Sequence, residues 1–148
     1  MEEQREFLDT EEWLNQGKKL LEAGDSEGAE PYFDRILKKN PMHQDAYLYK
    51  GSVKADQGKL EEAQELFVKA SMIDRKQPEP YFHLGNIAFM RNSYTDSIKN
   101  YNKAIALGYD QPDVYFHRGM VFEETEEFEE AIRSYNKAIQ TDELTPDY

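Results

Sequence analysis

The sequence predicts an all-α chain built from repeated pairs of antiparallel helices. Three observations carry this. A Tyr-Phe-His-x-Gly run starts at Tyr81 and again at Tyr115, and 115 − 81 = 34. Laid out at that period, the 148 residues show five columns of matched side chains. Within the units the apolar residues keep helical spacing, as in Leu60, Ala63, Phe67 and Ala70.

The period divides the chain into units 10–43, 44–77, 78–111 and 112–145. Residues 1–9 read as an N-terminal leader, and 146–148 as the start of a truncated further repeat. Position 4 of the four units holds Trp13, Tyr47, Tyr81 and Tyr115; position 8 holds Gly17, Gly51, Gly85 and Gly119. Position 20 holds Ala29, Ala63, Ser97 and Ala131, and position 24 holds Phe33, Phe67, Tyr101 and Tyr135. Position 27 holds Ile36, Ala70, Ala104 and Ala138.

Each unit reads as a first helix over positions 2–14 and a second over 18–30. The ring at position 4 fills the space between the pair. Glycine inside a helix costs up to about 1 kcal/mol, so position 8 implies a close approach, with the aromatic of position 24 as beneficiary. Gly24, Gly58 and Asn92 at position 15 suit a left-handed helix stop; Glu126 departs from that pattern. Ser93 and Asp96 have the spacing of a capping box, and Glu127, Glu129 and Glu130 suit a helix N-terminus. Pro31 falls inside a second helix and predicts a kink or a delayed start.

Bulk properties exclude several classes. The net charge of −12 disfavours a nucleic-acid partner, because phosphate binding needs an excess of Lys and Arg. The acidity is uneven: Pro112 to Thr145 carries nine acids and three bases, whereas Gln44 to Gln111 balances nine against nine. No apolar run approaches the roughly 20 residues of a membrane span. The chain has no cysteine, so disulfides and thiolate–metal sites are excluded. The polar, acidic start is no secretory signal, which makes the cytoplasm the default location. No nucleophile–base pair, phosphate loop or metalloprotease run occurs, so no enzyme, cofactor or metal is predicted. His83 and His117 share one position in adjacent units but lack a third metal ligand, and His43 reads as loop.

These columns resemble the tetratricopeptide repeat pattern W-x2-L-G-x2-Y, then A-x3-F, then P. The first unit supplies Trp13, Gly17, Ala29, Phe33 and Pro41; the third supplies Tyr81, Leu84, Gly85, Ser97 and Tyr101. The resemblance covers 136 residues (4 × 34). Gln16, Lys50 and Arg118 replace the usual leucine, and Arg75, Tyr109 and Glu143 stand where proline is usual. The resemblance implies a right-handed superhelical solenoid whose first helices line a concave, peptide-binding groove.

The groove side of each first helix then carries the candidate site. It comprises Lys18, Tyr49, Ser52, Phe82, His83, Asn86, Met90, Phe116, His117 and Met120. Some family members clamp a C-terminal carboxylate with Lys, Asn and Arg. The matching positions here are Leu14, Lys18, Tyr49, Glu79 and His83, or Leu48, Ser52, His83, Asp113 and His117, so no clamp is predicted. Position 5 has a second reading, in which Leu14, Leu48, Phe82 and Phe116 pack between neighbouring first helices. The expected partner is a segment of another protein, apolar with Lys or Arg nearby. Alternatives are self-association into a homo-oligomer through an uncapped C-terminal end, or a substrate-recruiting or chaperone domain of a larger protein.

Overall fold

The computed structural model describes residues 2–144. Among the described residues eight α-helices and no strand are found. They are α1 (Glu2–Glu22), α2 (Ser26–Lys39), α3 (Gln44–Asp56), α4 (Leu60–Ile73), α5 (Glu79–Met90), α6 (Tyr94–Ala106), α7 (Pro112–Glu124) and α8 (Phe128–Leu144). The expected boundary at 145 and the opening of a further repeat at 146–148 lie outside the described residues.

Two ends differ from expectation. The residues read as a leader are helical from Glu2 and continue into α1, because neither proline nor glycine interrupts them. Likewise α8 runs on to Leu144. Position 31 of the third unit is Gly108 in the left-handed region (φ 101°), whereas Asp142 stands there in the fourth.

The helices gather into two units, one ending at Asp74 and the other starting at Arg75. In the first, α1–α2 and α3–α4 form hairpins, and Ala29, Phe33, Ile36, Ala46 and Val53 form its buried cluster. In the second, α5–α6 and α7–α8 pair likewise around Phe82, Tyr101, Ala104, Val114, Tyr115, Val121 and Ala138.

One stop recurs in every hairpin. Gly24, Gly58, Asn92 and Glu126 all have positive φ, at 83°, 75°, 61° and 61°. The amide of the next residue donates five residues back: Asp25 to Leu20, Lys59 to Lys54, Ser93 to Ala88 and Glu127 to Phe122, at 2.8–2.9 Å. This is the Schellman closure, which satisfies carbonyls the helix leaves open. The capping box read at Ser93 is not formed, since Ser93 makes no side-chain cap bond. Side-chain caps form at Asp25, accepting from the Gly28 amide at 2.9 Å, and at His43, whose Nδ1 accepts from the Ala46 amide at 3.1 Å. His43 is thus more than loop: an accepting Nδ1 requires the proton on Nε2. Pro31 lies within α2 without ending it.

Candidate functional site

The glycine column sets the spacing on which the site stands. A Cβ on Gly17, Gly51, Gly85 or Gly119 would lie 2.7, 2.6, 2.5 or 2.7 Å from the ring of Phe33, Phe67, Tyr101 or Tyr135. Each ring therefore presses on the bare backbone of its partner helix, as the columns predict. The small column at position 20 serves the same closeness. Ser97, its one hydroxyl, is buried and donates to the Gly85 carbonyl at 2.8 Å.

In the first unit the expected residues come together in part. The Lys18 ammonium lies 5.4 Å from the centroid of the Tyr49 ring, which stacks on Phe33 at 5.6 Å. That arrangement gives a cation over an aromatic face whose other side is backed by core. The Ser52 hydroxyl donates to its own helix at the Leu48 carbonyl, 3.1 Å away.

In the second unit a chain of rings runs between α5, α7 and the segment joining α6 to α7. Phe82 stacks on Tyr109 at 4.7 Å and meets His117 edge-on at 5.8 Å. His117 lies 5.8 Å from Phe116, which in turn lies 5.6 Å from Tyr135. Phe82, expected on an open groove, is buried at 7% exposure. Tyr109 and α7 close over it, so at this residue position 5 packs between neighbouring first helices. Phe116, at the same position one repeat later, is 49% exposed. Met90 is 55% exposed, while His83, Asn86, His117 and Met120 are half-buried.

Polar groups here are held by identifiable forces. Burial pushes the Tyr101 phenol well above its ordinary pKa, so it stays a neutral donor to Asn86 Oδ1 at 2.5 Å. Burial, then the charge of Asp113, raises the Tyr109 phenol, which donates to Asp113 at 3.3 Å. Burial lowers His83 to about 4, so its ring is neutral at pH 7. The His117 Nδ1 lies 2.7 Å from the Asp113 carbonyl, which can only accept. Nδ1–H is therefore the donor, and Nε2 is left for another partner. Tyr135 is pushed up to about 12 by burial and by Glu123. Among the described residues no group of three metal-ligating side chains is found.

Three features went unread in the sequence. Lys69, Lys103 and Lys137 at position 26 lie over Tyr47, Tyr81 and Tyr115 of their own hairpins at 5.9, 4.8 and 5.9 Å. The recurring Tyr-Asn-Lys-Ala-Ile run was the available signal. Secondly, Tyr109 stands where proline is usual, and that departure supplies the ring over Phe82. Thirdly, two of the residues replacing leucine bridge successive hairpins. Lys50 pairs with Asp34 at 2.7 Å, and Arg118 donates to Asn102 at 2.9 Å and to Ser134 at 3.1 Å.

Comparison with known proteins agrees with this geometry. Signatures described as "Tetratricopeptide repeat" match residues 14–71 and 112–144, and one described as "TPR repeat" matches 85–126. A crystal structure of MamA is similar at 30% identity over 84% of this chain and 73% of that one, with TM-score 0.73. MamA 41-end from Desulfovibrio magneticus RS-1 is similar at 20% identity, over 93% and 78%, with TM-score 0.79. A chain in the Cut9–Hcn1 hetero-tetramer of APC/C is similar in fold at 17% identity, over 98% and 30%, with TM-score 0.85. No curated protein sequence matches. Among the described residues no helix is long and apolar enough to cross a membrane. The chain belongs to the tetratricopeptide repeat family, with the all-α, solenoid-type fold of a protein-interaction scaffold.

Proposed function

We propose that the chain holds a segment of another protein against the first-helix faces, through binding and not through chemistry. The observation that carries this is Phe116: half of it is open, yet His117 and Tyr135 hold its ring from within the unit. An apolar side chain already fixed in place loses little rotamer entropy on binding. Met90 and Met120 add adaptable surface, and His83, Asn86 and His117 add polar groups that can reach a peptide backbone. In the first unit Lys18, Tyr49 and Ser52 are the corresponding contacts. Glu79 and Asp113, acids in the first turns of α5 and α7, suit Lys or Arg in the ligand. The ligand is an apolar segment with basic neighbours, and no carboxylate clamp takes part.

Selection of a displayed peptide library on the intact chain, followed by affinity measurement with one selected peptide, tests the reading. Selected peptides should combine apolar anchors with Lys or Arg. Phe116→Ala should weaken binding about tenfold, equal to 1.4 kcal/mol, with no change in helix content. Unchanged affinity in Phe116→Ala and in His117→Ala would overturn it.

A further inference from the structure

The two second helices of the second unit carry the same outward face. Tyr94, Ile98, Asn102 and Ile105 of α6 correspond, 34 residues on, to Phe128, Ile132, Asn136 and Ile139 of α8. On α6 the face is occupied. Tyr94, Ile98 and Ile105 pack against the cluster that includes Val114 and Val121 of α7, and Arg118 of α7 donates to Asn102. On α8 it is open: Phe128, Ile132 and Ile139 are 59%, 59% and 58% exposed, and Asn136 is exposed.

The first unit shows the direction of such packing. Lys50 of α3 meets Asp34 of α2, and Lys54, one turn later, meets Glu30, one turn earlier. The covering helix therefore runs antiparallel to the helix it covers.

We propose that the outward face of α8 docks a helix of another protein with the pattern apolar-x3-Arg-x3-apolar, ending in Lys or Arg. The pattern is that of Val114, Arg118 and Phe122 in α7. The arginine meets Asn136 as Arg118 meets Asn102, and the two apolar residues cover Ile132 and Ile139. Antiparallel seating brings the end of the docked helix to the start of α8, where Glu129 is exposed one turn from Ile132, while Glu130 is paired with Arg133 at 2.6 Å. Basic residues there complement Glu129 and the negative end of the docked helix's own dipole.

A second copy of this chain is a poorer occupant. Its α1 offers Glu12, Gln16 and Leu20 in the register of Val114, Arg118 and Phe122. A carboxylate would enter the place where Val114 is fully buried. Its α8, seated antiparallel, would set Asp142 and Glu143 near Glu129. The face used here is separate from the one that carries Phe116, so the two readings stand or fall independently.

A synthetic peptide with the sequence of residues 112–124, carrying Glu123→Lys and Glu124→Lys, is the probe. Its fluorescence anisotropy is followed as the intact chain is added. Saturable binding is expected, weakened about tenfold by Ile132→Asp in the chain and also by Arg118→Ala in the peptide. Phe116→Ala in the chain should leave it unchanged. Ile132 is exposed, so its variant should keep the parent's circular dichroism and melting. Absence of binding, binding indifferent to Ile132→Asp, or loss of binding in Phe116→Ala overturns the proposal. So does a dimer in sedimentation that Ile132→Asp dissociates, because a second copy then holds the face.

Discussion

A methyl group added at Gly51 would sit 2.6 Å from the edge of the Phe67 ring, nearer than packed carbons come. The ring cannot retreat, because Phe67 is 2% exposed in a filled interior. Alanine is the better helix former by about 1 kcal/mol, yet overpacking costs about 1–3 kcal/mol. Gly51→Ala should therefore destabilise the chain by up to about 2 kcal/mol, read as a lower urea midpoint at unchanged slope. A midpoint equal to or above the parent's would show that the two helices separate freely. This contact was legible in advance, since four glycines and four rings recur at fixed positions. The fate of Phe82 was not. Phe82 and Phe116 share a repeat position, and only the chain around each decides which is sealed: Tyr109 stacks on the first, and among the described residues no such ring stacks on the second. The charges of Lys50 and Arg118 were likewise visible, while their partners Asp34 and Asn102 lie a hairpin earlier and became partners only on folding.

At the scale of the helix, the ends matter most. Three hairpins stop at glycine or asparagine, residues that enter the left-handed region with little cost, and one stops at Glu126 with φ 61°. The left-handed conformation costs an ordinary L-residue roughly 1–2 kcal/mol. The Schellman bonds of Glu126 and Glu127 hold it there. Replacing this side chain by hydrogen removes the steric penalty and one of the crowded acids between 123 and 130, against some gain in unfolded-chain entropy. Glu126→Gly should raise stability by about 1 kcal/mol, with the melting temperature as readout. A lowered melting temperature would mean that the Glu126 side chain makes a contact of greater value than the strain. The helices themselves were readable to within a residue or so wherever a stop signal stood in the sequence. They ran long at α1 and α8, where none stood. Caps were read less well, because a cap depends on rotamer and approach: Ser93 has the right chemistry and makes no bond, while His43 caps α3.

For the molecule as a whole, stability should depend on pH through His83. Its folded pKa is about 4, below the ordinary 6.5, because burial penalises the charged ring. Between those values the unfolded chain holds a proton that the folded chain refuses. Stability is then level above pH 6.5 and falls as pH drops from 6.5 toward 4, at up to about 1.4 kcal/mol per pH unit. Urea unfolding at pH 7.0, 6.0 and 5.0 checks this, with His83→Gln expected to flatten the slope. An equal slope in the variant would assign the loss to other groups. The period of 34, the hairpins, the glycine–ring contacts and the acidic balance were all determined by the sequence alone. They follow from local spacing, which a single helix or a single repeat expresses without help. Tertiary structure alone decided that Phe82 is sealed and Phe116 half-open, that the Tyr109 ring lies over Phe82, and that among the described residues Ile132 and Ile139 of α8 are left exposed. Identical side chains at identical repeat positions differ there because burial is a property of neighbours, and neighbours change from one hairpin to the next.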